Sequence, residues 1–276
     1  MMIIPRLYTL CFILYKLAIN ILLIPWFFYK HPPLFVDHYL RGFIDGVINM
    51  QLSFARRIPS IDLQQLQSLL DGPPPNLHLK FENRYGNINF LESIVIAYII
   101  QSLQPKTLFE IGTFDGFSTY HLAKNAPPDA MIYTLNLPVE HSLEDYSKVY
   151  SLLEYHGDNQ AHESLKTCGI GTLYRKSDVA HKVTQLFGDS LHFDFSPYFG
   201  RIHFCFIDGG HSYQHLQKDT ATALQLLADW GVIIWHDYNI QHRDIYRFLN
   251  ELSRHYPLCH IQQSRLVMFV KKKVRK

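Results

Sequence analysis

Cysteine is scarce and scattered. Cys11, Cys168, Cys205 and Cys259 form no C-x-x-C pair and no framework spacing, which excludes a disulfide scaffold and a cysteine-rich zinc module. Reduced thiols in a cytosolic domain are the simplest account. Charge of one sign is equally short: a formal net charge of +2 over 276 residues gives no footprint for a nucleic acid, and none is expected as a partner. The local basic cluster Lys271-Lys272-Lys273-Val274-Arg275-Lys276 reads as a solvated terminus. The length suits one α/β core of about 200 residues with an N-terminal extension.

What is present is a strand turning through glycines into a helix. Thr107 to Ile111 is apolar and partly β-branched, as a parallel strand covered on both faces should be, and Ser118 to Lys124 starts a helix. Between them Gly112 and Gly116 would let the backbone approach a ligand, with free helix N–H groups behind. The spacing is acidic residue, any residue, glycine, three residues, glycine, which is not the G-x-G-x-x-G of dinucleotide sites. Glu110 at the strand end suits a ligand bearing a cationic group or hydroxyls better than a pyrophosphate. Two later apolar runs, Ile202 to Ile207 and Val232 to Trp235, each end on a carboxylate, Asp208 and Asp237. In an open parallel sheet the carboxyl ends of strands form the ligand crevice, so Glu110, Asp208 and Asp237 should converge there.

With Gly188-Asp189-Ser190 after a further strand, these blocks resemble the class I methyltransferases that use S-adenosylmethionine (SAM), in the branch of macrocin O-methyltransferase and cephalosporin hydroxylase. The resemblance spans roughly Asn83 to Val270. It implies a Rossmann-like, doubly wound α/β sheet of about seven strands with an antiparallel last strand, plus an N-terminal helical extension. It also implies that Glu110, Gly112, Thr113, Phe114, Gly116 and Ser118 surround the methionine and ribose, and that Asp189 and Ser190 meet the adenine. Asp208 lines the same pocket. The ribose position, usually acidic in the family, holds Asn136 here. Asp208 and Asp237 stand where metal-dependent relatives hold Mg²⁺, while His211, His236 and Asp237 are the candidates for deprotonating an acceptor hydroxyl. Both routes stay open. His211 and His215 have i, i+4 spacing, but no third ligand at a matching distance makes them a zinc site.

Three segments follow: an apolar membrane-associating helix over 1–30, a helical linker and lid region over 31–82, and the methyltransferase domain over 83–276. Leu7 to Tyr29 is almost wholly apolar and as a helix would be about 34 Å long, enough for a bilayer core. Thr9, Lys16 and Asn20 would share one stripe of it. That pattern leaves spanning, lying in the interface and packing on protein as alternatives. Asn89 should cap a helix over Phe90 to Leu103 whose face is Leu91, Ile94, Val95, Tyr98 and Ile99. Strands are expected at Met131 to Leu137 and Val183 to Phe187, with a final hairpin of Cys259 to Gln263 and Leu266 to Val270. Glu140 to Lys182 is long for a connection and is the candidate substrate insertion, or a plain surface excursion. The expected activity is O-methylation of a small molecule, a sugar or a lipid-linked glycan by a cytoplasmic, membrane-associated catalytic domain. The alternatives are a same-fold enzyme with hydroxylase-like chemistry and a silent membrane-associated scaffold.

Overall fold

The computed structural model describes residues 58–70, 76–80, 86–138, 165 and 169–271. The expected N-terminal helix, most of the linker, the basic tail and most of the 140–182 segment lie outside the described residues. Among the described residues no helix is long and apolar enough to cross a membrane.

The sheet has eight strands: β1 (Ser60–Ile61), β2 (Thr107–Ile111), β3 (Met131–Asn136), β4 (Val183–Phe187), β5 (Ile202–Ile207), β6 (Leu227–Trp235), β7 (Leu258–Ile261) and β8 (Val267–Lys271). Their order is β1-β7-β8-β6-β5-β2-β3-β4. All neighbouring pairs are parallel except those of β8, which runs antiparallel to β6 and β7. This is the doubly wound, Rossmann-like sheet with its antiparallel last strand. The strand beyond the expected seven is β1, two residues paired to His260 and Ile261, too short to leave a period in the sequence. β6 begins at Leu227, five residues before the expected start at Val232.

Strand alternation decides which helices cover which face. Leu108, Ile132, Phe204, Phe206, Val232, Ile234 and Met268 share one buried layer with α2 (Phe90–Leu103) and α3 (Phe117–Asn125). Phe109, Ile111, Leu135, Cys205, Ile207, Ile233 and Trp235 point the other way, against α5 (Tyr213–Leu226) and α6 (Arg243–Leu252). At about 1.5–3 kcal/mol for each large apolar side chain buried, both layers contribute heavily. The remaining helices are α1 (Leu63–Leu70) and the single turn α4 (Thr172–Arg175).

α2 has the expected ends but a rotated face. Asn89 Oδ1 accepts from the Glu92 N–H at 2.9 Å and Glu92 Oε2 accepts from the Asn89 N–H at 2.8 Å, a reciprocal capping box. The side chains in the core are Val95, Ile96, Ile99 and Ile100, whereas Leu91, Ile94 and Tyr98 are only partly buried. The helix is apolar nearly all round, so its period does not choose a side. The first turn of α2 places Glu92, fully buried, against His236 and Arg265.

Candidate active site at the carboxyl ends of the strands

The glycine turn closes on the protein itself. Gly112 has φ +103°, and a Cβ there would lie 2.0 Å from the backbone oxygen of Asp208. Gly116 has φ +85°, and its Cβ would lie 2.7 Å from the Tyr174 ring and 2.9 Å from Gly171 Cα. Both glycines are therefore demanded by neighbouring protein atoms, a different reason from the ligand approach expected. Asn136, the expected ribose residue, is also engaged: its Oδ1 accepts from the N–H groups of Thr113 and Phe114, each at 3.0 Å, and its Nδ2 donates to Leu137 O at 2.8 Å. With both carbonyl lone pairs used, one side-chain N–H remains for a hydroxyl.

Glu110 does not line the crevice. Its carboxyl is fully buried, and Oε2 accepts from the hydroxyls of Thr119 and Thr134. Thr134 and Thr113 join at 2.6 Å, and Thr113 receives Gln185 Nε2 at 2.9 Å. Burial pushes the Glu110 carboxyl up to about 7, against the pull of the Ser118, Thr119 and Thr134 hydroxyls. α3 itself starts at Gly116 with no side-chain cap.

Asp189 follows β4 and is partly exposed; it accepts from the Leu191 N–H at 3.0 Å and pairs with His192 Nδ1 at 2.8 Å. Ser190 beside it is buried, and the fully buried Asp219 of α5 has no hydrogen-bond partner on either carboxyl oxygen among the described residues, so burial raises its carboxyl to about 7.

The ends of β5 and β6 hold the charges. His236 is buried with one ring nitrogen 2.9 Å from Asp208 Oδ1 and 3.4 Å from Asp237 Oδ1, and the other 3.1 Å from Glu92 Oε2. Both nitrogens face carboxylates, so both carry protons and the ring is an imidazolium; burial opposes that charge, but Asp208 and Asp237 raise its pKa well above the ordinary value. Arg265, in the turn between β7 and β8, donates from Nη1 to Asp237 Oδ1 at 2.8 Å and from Nη2 to Glu92 Oε2 at 3.2 Å. Its backbone N–H also donates to Glu92 Oε1, at 2.8 Å. Burial alone would raise Glu92 and Asp237, yet these cations hold both carboxyls far below the usual range. Asp237 sits at φ +57°, in the left-handed region rare for a residue with a Cβ. His211 Nε2 lies 3.3 Å from Asp237 Oδ2 and His242 Nε2 3.7 Å from Asp237 Oδ1.

Asp208, Asp237, His211 and His236 thus come together as expected, while Glu110 and Asn136 stay in the neighbouring corner. Asp208 and Asp237 do converge, but on the N–H of His236. Tyr238 turns away: it is buried, stacked on Tyr246 and bonded to Asn250. Three members of the cluster had no assigned role in the sequence reading, namely Glu92, His242 and Arg265. Glu92 carried a signal in the Asn-x-x-Glu capping spacing, whereas Arg265 and His242 arrive through tertiary folding alone. Three carboxylates against two firm cations leave one negative charge in excess, with His211 and His242 beside it.

Residues 109–238 match a family model described as a methyltransferase domain. No curated protein matches the chain. Among solved structures, the SAH-bound methyltransferase PaMTH1 of Podospora anserina is similar at 13% identity and TM-score 0.47, covering 76% of this chain and 94% of that one. The O-methyltransferase TomG of Streptomyces achromogenes, involved in tomaymycin synthesis and solved with SAM, is similar at 17% identity and TM-score 0.43, covering 83% and 97%. An O-methyltransferase from Bacillus cereus in complex with SAH is similar at 18% identity and TM-score 0.44, covering 76% and 88%.

Proposed function

We propose that this protein, whose residues 109–238 match a methyltransferase domain, is a class I SAM-dependent methyltransferase that methylates a hydroxyl oxygen and that His211 removes the hydroxyl's proton. The observation that carries this is the contact of His211 Nε2 with Asp237 Oδ2 at 3.3 Å, in a crevice where His211 keeps part of its side chain exposed. Asp237 is held by Arg265 and by its own left-handed backbone. Accepting a hydrogen bond from the Nε2–H, it fixes the tautomer that leaves His211 Nδ1 as the basic atom.

The residues present fit SAM. Asp189 can accept from the adenine amino group, and the excess negative charge suits its cationic sulfonium, whereas the first N–H of α3 is already taken by Asp115 Oδ1 at 3.1 Å. Asn136 offers the ribose one N–H in place of a carboxylate, a weaker hold. When bound, SAM supplies an electrophilic methyl group with its own leaving group. The chain's share is to place the acceptor oxygen in line, exclude water and take one proton at His211 Nδ1. A Mg²⁺ ion shared by Asp208 and Asp237 fits poorly, because the His236 N–H already lies between the two oxygens. The apolar run Leu7 to Tyr29 supports a lipid-linked or membrane-proximal acceptor over a freely diffusing one. Full-length protein should then sediment with vesicles and protein starting at Pro32 should not; equal partition would remove that preference.

Two measurements test the enzymatic reading. SAM or S-adenosylhomocysteine at about 100 times its dissociation constant should stabilise the protein by roughly 2.7 kcal/mol in thermal or denaturant unfolding. His211→Ala should keep that stabilisation while lowering turnover about 10²- to 10⁴-fold. Full turnover in His211→Ala, together with loss of turnover in a chelator, would restore the magnesium reading.

A further inference from the structure

We propose that His211, Asp237 and His242 form a binding site for a divalent transition metal of the Zn²⁺ type, and that occupancy silences methyl transfer. The three residues reach one point from three elements: the loop after β5, the end of β6 and the residue preceding α6. One ligand atom from each lies within 4.8 Å of the others. A tetrahedral zinc with ligands at about 2.0–2.1 Å has donor-to-donor edges of about 3.3–3.4 Å. His211 Nε2 to Asp237 Oδ2 is 3.3 Å, and His242 Nε2 to Asp237 Oδ1 is 3.7 Å. The two imidazole rings meet edge to face with centroids 4.8 Å apart, and each Nε2 lies against a different oxygen of the one carboxylate.

Donor type selects the metal. Two imidazoles and one carboxylate favour Zn²⁺, Co²⁺, Ni²⁺ or Fe²⁺, whereas Mg²⁺ prefers an all-oxygen shell. Arg265 Nη1 supplies an outer partner to the ligating carboxylate at 2.8 Å, the kind of support that orients metal ligands. Two His and one carboxylate leave a coordination position for water.

The silencing follows from the tautomer and rests on His211 being the base; the binding itself does not. A metal on Nε2 requires that nitrogen's lone pair, so the imidazole proton moves from Nε2 to Nδ1. The atom facing the acceptor then carries a proton and cannot accept another. No bond to SAM is involved, and release of the ion restores the first tautomer.

Full-length protein titrated with Co²⁺ should develop the intense visible d–d absorption of a four- or five-coordinate site at one equivalent. Zn²⁺ should abolish it and millimolar Mg²⁺ should not. His242→Ala and His211→Ala should each weaken Co²⁺ affinity by more than about 100-fold, beyond the loss expected from an outer partner, while His215→Ala should retain it. X-ray absorption at the zinc edge of the wild-type complex should count two imidazoles, a readout independent of how well any variant folds. No absorption, binding unchanged in His242→Ala, or loss in His215→Ala overturns the site. With SAM bound, Zn²⁺ should reduce turnover and a chelator should restore it. If Co²⁺ binds as described but Zn²⁺ leaves turnover unchanged, the silencing is wrong and the site stands; if His211→Ala also turns over fully, it is the base that has been misassigned.

Discussion

The two corners at the carboxyl ends of the strands treat buried carboxyls in opposite ways. At the ends of β2 and β3, Glu110 has only hydroxyl partners, and burial brings its carboxyl up to about 7. At the ends of β5 and β6, Glu92 is just as buried, yet His236 and Arg265 keep it ionised against the same desolvation. Hydroxyl dipoles are too weak to hold a fully buried charge at neutral pH; two cations in direct contact suffice. The glycine turn, with its amides closed on Asn136 and its glycines pressed on backbone, therefore frames the crevice. The proton transfer proposed for His211 belongs to the corner where charges persist.

The strongest way to break this contrast is to remove Glu92. Glu92→Ala takes the buried acceptor from one His236 N–H and from the Arg265 backbone N–H, although Asp208 and Asp237 still face the two cations, and should cost about 3–5 kcal/mol in denaturant unfolding; a loss below about 1 kcal/mol would mean that water already solvates the cluster. Gly112→Ala tests the frame. A residue with a Cβ at φ +103° costs roughly 1–3 kcal/mol, and the contact with the Asp208 oxygen adds to it. Its stability loss should be the same with and without SAM; a variant of native stability that had lost only SAM binding would return the glycine to a ligand-facing role.

The effect that appears only as pH rises concerns uncharged burial. Asp219 has a folded pKa of about 7, above its unfolded value, so its protonated form favours the folded state. That contribution is complete at low pH and is lost as pH rises from about 4 to about 7. Asp219→Asn cannot ionise, so it should match wild type near pH 4 and exceed it by up to about 4 kcal/mol near pH 8, about three pKa units at about 1.4 kcal/mol each. An unchanged difference across that range in urea melts would show that Asp219 is solvated or paired.

Much of this was legible in the chain because strands and caps are local. Thr107–Ile111, Val183–Phe187 and the helix over Phe90–Leu103 have the expected bounds, since apolar runs, glycine turns and an Asn cap encode them directly. The face of that helix was not legible: Ile96 and Ile100 are as apolar as Leu91 and Ile94, and only packing on the sheet distinguishes them. The carboxylates at strand ends were readable from position. Their partners were not, because Arg265 reaches Glu92 across 173 residues and nothing local in a hairpin turn announces that it will end beside a helix cap. Asn136 was read from the family position, and its true partners are two amides of a turn whose conformation no spacing specifies.

The Arg265 amide has a consequence in time. A backbone N–H in a hairpin turn, here the five residues between Ile261 and Val267, ordinarily exchanges its hydrogen with solvent quickly, since fraying costs little. This one donates to a carboxylate oxygen of Glu92 that no water reaches. Exchange at Arg265 therefore has to wait until the first turn of α2 lifts away from it, which makes a single amide proton the clock for how often that helix lets go.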